Sequence, residues 1–161
     1  MFIGEAPGRF GADRTLRPFS GDASGDNFES FLAGAQLSRE DCFITNAVLC
    51  NPRNEQGNNS PPSRKELEQC SAWLQQQIEL IDPLLVVTLG VKALASLDLI
   101  ETHALRLRDH VAKTNSWFGR CLMPLYHPGA RALIHRKRSD QQRDYRRVAQ
   151  RFRALVSAQS K

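Results

Sequence analysis

The chain has 161 residues, 41% hydrophobic and 24% charged, with a net charge of +5. That suffices for one domain with its own core, and residues 1–161 read as a single unit without repeats. No apolar run approaches the ~20 residues of a membrane span, and no basic stretch followed by an apolar one marks a secretion signal, so the cytoplasm is the expected compartment.

In chain order, Met1-Phe2-Ile3 is a short apolar run entering the turn Gly4-Glu5-Ala6-Pro7-Gly8. In an α/β protein this puts a carboxylate at the carboxyl end of a parallel strand, where ligand crevices form. The run is short for a central strand and reads as the end of one that begins upstream. After the turn Ser24-Gly25-Asp26, Phe28, Phe31, Leu32 and Ala35 recur at helical spacing. Cys42 to Leu49, rich in β-branched and aromatic residues, is the second strand, and Asn51 to Ser63 is a polar loop. Ser63 and Glu66 form a capping box that opens a helix with Leu67, Cys70, Trp73, Leu74, Ile78 and Ile81 on its apolar face. Leu84 to Leu89, stopped by Gly90, is a strand covered on both faces. A short helix over Lys92 to Leu97 follows. Glu101 to Trp117 reads as a small hairpin or an irregular excursion. The last strand is Cys121 to Tyr126, where Pro124 suggests an edge or a bulge. Asp140 to Val156 is a helix turning Tyr145, Val148, Ala149, Phe152 and Val156 inward. The alternation predicts a three-layer α/β/α sandwich around a mostly parallel, four-stranded sheet.

Charge is unevenly spread. Residues Arg131 to Arg153 carry nine Lys/Arg against two Asp, so the rest of the chain is slightly acidic. Such a block suits a phosphate-facing surface or, equally, the solvated outer face of a helix. The four cysteines, Cys42, Cys50, Cys70 and Cys121, include no Cys-x-x-Cys pair. Cys42 and Cys121 lie in strand-like runs and read as small buried hydrophobes.

Four residues fall where strands end: Glu5, Phe19 in the loop after the first strand, Asn46, and His127 in Tyr126-His127-Pro128-Gly129. Taken singly, His127 is a loop hydrogen-bonder, Asn46 a satisfied buried amide and Phe19 a core residue. In a parallel sheet they share one edge. A carboxylate, an amide, an imidazole and an aromatic face together suit a flat heterocycle, stacked on its face and read along its edge.

In order along nearly the whole chain, Gly4-Glu5-Ala6-Pro7-Gly8, Pro18-Phe19-Ser20-Gly21, Ile44-Thr45-Asn46-Ala47-Val48, Leu89-Gly90 and His127-Pro128-Gly129 resemble the uracil-DNA glycosylase superfamily, nearest its iron–sulfur (family 4) branch. Gly11-Ala12-Asp13-Arg14-Thr15 with Phe19-Ser20-Gly21-Asp22 looks more like the neighbouring family 5 branch. The resemblance implies base excision repair: hydrolysis of the bond joining uracil to deoxyribose in DNA, on a base flipped out of the helix. Phe19 and Ala6 would then contact the ring and Asn46 would read its Watson–Crick edge. His127 would hydrogen-bond the departing base, and Glu5 would position water. Asp22 is the second choice for that acid and Asp13 a further rival. Arg131 and Leu133 would enter the minor groove, with Arg136, Lys137 and Arg138 on phosphates.

In the iron–sulfur branch two cysteines precede the first motif and two follow the strand-two asparagine, matching Cys50 and Cys70 here. A 4Fe-4S cluster would need the earlier pair too. The expectation is that a longer natural chain supplies it; the alternative is a protein that has lost its cluster. The partner implied is uracil-containing DNA, with no membrane and a monomeric protein. Competing readings are a DNA- or nucleotide-binding module that cleaves nothing, and a plain nucleotide binder. The latter lacks a Gly-x-Gly-x-x-Gly turn.

Overall fold

A computed structural model describes residues 1–159. Its elements are β1 (Phe2–Gly4), α1 (Ala12–Thr15), α2 (Ala23–Gly34), β2 (Ile44–Asn46), α3 (Arg64–Ile81), β3 (Leu85–Leu89), α4 (Val91–Ser96), α5 (Leu107–His110), β4 (Asn115–Trp117), β5 (Arg120–Leu125), α6 (Ala130–His135) and α7 (Arg138–Gln159). The sheet order is β2-β1-β3-β5-β4, with the first four strands parallel and β4 antiparallel to β5.

Successive strand residues point to opposite faces, and the core divides accordingly. Phe2, Leu85, Val87, Leu89, Met123 and Leu125 pack on one side against Phe28 and Phe31 of α2 and Tyr145 and Val148 of α7. Ile3, Val86 and Leu122 pack on the other against Leu74 and Ile78 of α3 and Ala93 and Leu94 of α4. Three layers result, as the alternation of elements predicts.

The sheet has five strands rather than four, because the stretch that reads as a small hairpin or an irregular excursion supplies β4, which pairs with β5 as one arm of a hairpin. β1 has three residues, yet it is paired on both sides, Phe2 lying opposite Ile44 and Val87. The pairing extends through Met1, whose amine donates to the Leu85 carbonyl at 2.8 Å and whose carbonyl accepts from Val87 N at 2.8 Å. β2 is shorter than Cys42 to Leu49, since a 3-10 turn over Arg39–Asp41 leaves half-buried Cys42 outside it.

Pro124 lies in an interior strand, not at an edge. Its backbone faces away from β3, where its carbonyl accepts from Ala112 N at 2.9 Å beyond the end of β4, so no ladder bond needs the missing N–H. Ser24–Asp26 belongs to the first turn of α2 rather than to a preceding turn, with Asp22 as its N-cap. The Ser63–Glu66 capping box opens α3 as expected. Trp73 and Ile81, expected in the core, are 60% and 40% exposed. Val156 likewise lies at the surface, and Cys121 is half-buried with the Arg151 guanidinium donating to its Sγ at 3.3 Å.

Candidate active site

The four parallel strands end on one edge, at Gly4, Asn46, Leu89 and Leu125. The segments leaving that edge enclose a cavity of about 300 Å³. Glu5, Ala6, Phe19, Asp22, Asn46, His127 and Arg131, seven of the residues singled out from the sequence, all line it. Residues separated by more than a hundred positions are thus brought to one place by strand order alone.

Each wall has a local cause. Beyond β1, the Gly4 and Glu5 carbonyls accept from Ala47 N and Val48 N at 2.8 and 3.1 Å, which fixes the backbone carrying Glu5. Phe19 sits at φ +49°, in the left-handed region, with its own carbonyl and that of Pro18 held by the Arg39 guanidinium. Its ring stacks on Phe28 at 4.9 Å and lies 5.6 Å from the His127 ring. A Cβ on Gly4 would fall 2.4 Å from Asn46 Oδ1 and 2.7 Å from the Phe19 ring, so only glycine leaves both side chains in place. Asn46 is buried, and its carboxamide makes no hydrogen bond among the described residues. It is therefore not the satisfied core amide that a lone strand asparagine suggests.

His127 accepts a hydrogen bond at Nδ1 from Gly129 N at 2.9 Å, which assigns the proton of the neutral ring to Nε2. Burial lowers its pKa from the usual 6.5, against an opposing pull from Asp22. Glu5 is shifted the other way: burial raises its pKa from 4.5, with Lys92 opposing. The site thus holds a neutral imidazole that donates, together with a carboxylate that forms no ion pair among the described residues. Asp22 is engaged differently, its Oδ1 capping α2 by accepting from Gly25 N at 2.9 Å. Asp13 is outside the cavity, paired with Arg53 at 2.5 Å.

One wall escaped the sequence reading. Asn51, Pro52, Asn59 and Ser60 of the polar loop line the cavity. The loop is tied to the first motif by Arg9, whose backbone N donates to Asn59 Oδ1 at 3.0 Å and whose guanidinium donates to the Gly57 carbonyl at 2.8 Å. Its density of asparagines was the available signal. Ser24 on α2 also contributes.

The residues expected on DNA divide. Arg131 is exposed at the cavity, Leu133 is half-buried, and Ile134 beside it is 81% exposed. Lys137 is exposed. Arg136, expected on phosphate, instead makes a bidentate pair with buried Asp144, at 2.6 and 2.8 Å. Arg138 is held by Asn27 and Ser30 of α2 while remaining at the surface. Cys50 is exposed and Cys70 half-buried against Ala47, Val48 and Leu67. Among the described residues no three or more His, Cys, Asp or Glu side chains converge as metal ligands. Cys50 and Cys70 alone do not fit a four-thiolate cluster, and no step of the chemistry is built on one.

Comparison with known proteins places this geometry in a family. The Uracil DNA glycosylase superfamily pattern matches residues 1–153. A Type-4 uracil-DNA glycosylase of Archaeoglobus fulgidus is 33% identical over 157 residues, 93% of this chain and 75% of that protein. Another, from Pyrobaculum aerophilum, is 37% identical over 81% of this chain and 66% of its own length. A Type-5 uracil-DNA glycosylase of the same organism is 38% identical over 56% of this chain and 43% of its own length. Relatives of both types thus accompany a match that takes in every strand end around the cavity, and the chain belongs to the uracil DNA glycosylase superfamily.

Proposed function

We propose that the chain excises uracil from DNA by hydrolysing the N-glycosidic bond and leaving an abasic site. The observation that carries this is the convergence of Glu5, Phe19, Asn46 and His127 on one cavity, with the Asn46 carboxamide and the His127 Nε2 left free among the described residues to meet a ligand while His127 Nδ1 is held by Gly129 N. A base inside a duplex cannot reach such a cavity, so the target nucleotide leaves the stack first. In the cavity Phe19 offers the ring a stacking face and Ala6 a small contact. The Asn46 carboxamide supplies one donor and one acceptor for the pyrimidine edge.

Cleavage leaves negative charge on the departing base and positive charge on the sugar. The Nε2–H of neutral His127 donates to the oxygen that gains charge, and a donor fixed in advance costs no reorganisation at that moment. The Glu5 carboxylate favours the cationic sugar and orients the attacking water. Asp22 lies within electrostatic reach of His127 and is the alternative for the acid role. Arg131 and the apolar residues of α6 would occupy the gap in the duplex, with Lys137 and Arg138 on phosphates. No helix among the described residues is long and apolar enough to cross a membrane. We read the chain as one domain acting as a monomer.

A uracil-containing oligonucleotide tests the assignment. Abasic-site formation by the wild type that is lost in His127→Ala supports it; tight binding without strand-cleavable product would make the protein a DNA-binding module instead.

A further inference from the structure

We propose that a depression beside the catalytic cavity is a subsite for the nucleobase next to the flipped one, an inference that rests on the glycosylase reading. The depression encloses about 240 Å³, and Pro7, Ala12 and Asn46 line both it and the cavity. Its further walls include Leu16 and Pro18 of the segment after α1, and Leu49 beyond β2. Arg17 stands at its margin, exposed to solvent.

Leu16 carries the argument. It is 91% exposed and caps α1 at φ +56° in the left-handed region. A branched apolar side chain is strained in that conformation, where glycine or asparagine is usual, and here it recovers nothing by packing. Leu49, on the other wall, is also exposed. Two uncovered leucines facing one hollow are explained by a flat apolar partner that arrives with the substrate.

The topology says which partner. β2 is the edge strand, and α6 follows β5 at the other side of the catalytic edge. A nucleic-acid strand laid along that edge passes α6, then the cavity, then this depression. Neighbouring nucleotides are covalently linked, so a uracil seated in the cavity brings the next base to the adjoining hollow. Its walls combine the apolar faces of Leu16, Pro18 and Leu49, which suit stacking without sequence preference, with polar Asp13, Thr45 and Asn46; Arg17 is placed for the intervening phosphate while Asp13 is occupied by Arg53.

The test uses single-stranded oligonucleotides with uracil flanked by a tetrahydrofuran abasic analogue, either 5′ or 3′. For the wild type, kcat/KM falls about tenfold when the base is missing on one of the two sides. The double variant Leu16→Gly/Leu49→Ala shows that fall on the intact oligonucleotide and little further loss when the flanking base is removed. Leu16→Gly relieves the strained backbone, so its Tm stays level or rises and a folding defect is separated from a binding one. Enhanced stacking of 2-aminopurine at the same flanking position on binding, absent in the double variant, is the second readout. Equal dependence on flanking bases in wild type and variant, or none at either position, overturns the subsite while leaving the glycosylase reading intact. No uracil release from the intact oligonucleotide by the wild type overturns both.

Discussion

Replacing Gly4 by alanine tests the recognition slot without touching a group that contacts the base. The added Cβ would lie 2.4 Å from Asn46 Oδ1 and 2.7 and 2.8 Å from two atoms of the Phe19 ring, where ordinary contact begins at 3.4 Å. Asn46 must therefore retreat by about 1 Å and the Phe19 ring by somewhat less, and both are packed against the core on the side away from the cavity. Overpacking of this kind costs about 1–3 kcal/mol, equivalent to a Tm lower by roughly 2–12 °C in a chain of this size. The larger effect falls on chemistry, since a displacement of about 1 Å costs on the order of 10²-fold in rate. Single-turnover cleavage of a uracil oligonucleotide, read beside thermal unfolding, measures both. In an Asn46→Ala background the same substitution costs much less, because the closest clash is gone. A Gly4→Ala protein that loses stability yet cleaves within about threefold of wild type would refute the placement of uracil between Phe19 and Asn46.

Other perturbations probe separate parts of the site. His127→Ala lowers kcat by about 10²–10³, as loss of a fixed donor to developing negative charge should; an unchanged kcat would remove the imidazole from the chemistry. Activity needs Glu5 ionised and His127 neutral, and burial places their pKa values above 4.5 and below 6.5 respectively. A pH–rate profile should therefore lose activity on acidification, with the Glu5 limb lying above the ordinary carboxylate value of 4.5, and Glu5→Gln should abolish that limb along with most activity. The same shifts act oppositely on stability. Glu5 favours the folded state at low pH and loses that contribution as pH rises above 4.5, whereas His127 disfavours it as pH falls below 6.5. Arg136→Ala strands the carboxylate of Asp144, which is 1% exposed, and destabilises the fold by roughly 3–5 kcal/mol in denaturant titration; Asp144→Asn in that background recovers part of the loss. Lys137→Ala weakens DNA binding uniformly across sequences and lowers the salt slope by about 1.

The sequence reached the layers and the catalytic edge because both rest on simple periodicities. The uninterrupted apolar run Leu84–Leu89 and the Ser63–Glu66 box leave little choice of structure, and parallel strands must deliver Glu5, Asn46 and His127 to one edge. What it missed depends on contacts between distant segments. A small hairpin is one of two readings of residues 101–117, but nothing local says that its arm β4 joins the sheet: it is three residues with no period of its own and exists by pairing with β5. The loop lining the cavity is held by Arg9, which no local pattern connects to Asn59. A basic run likewise shows charge but not allegiance: Arg136 and Lys137 are neighbours, and only the former finds a buried aspartate.

The brevity of β1 has a kinetic consequence. Its three residues pair with partners some 40 and 85 positions downstream, and the imidazole that lines the cavity with Glu5 arrives later still, from residue 127. Local contacts cannot assemble this centre, so the chain must close long loops before any of that pairing is rewarded, which makes folding slow for its size. A nascent chain released before its final third would hold no partial catalyst, and competence would emerge in one late, cooperative step.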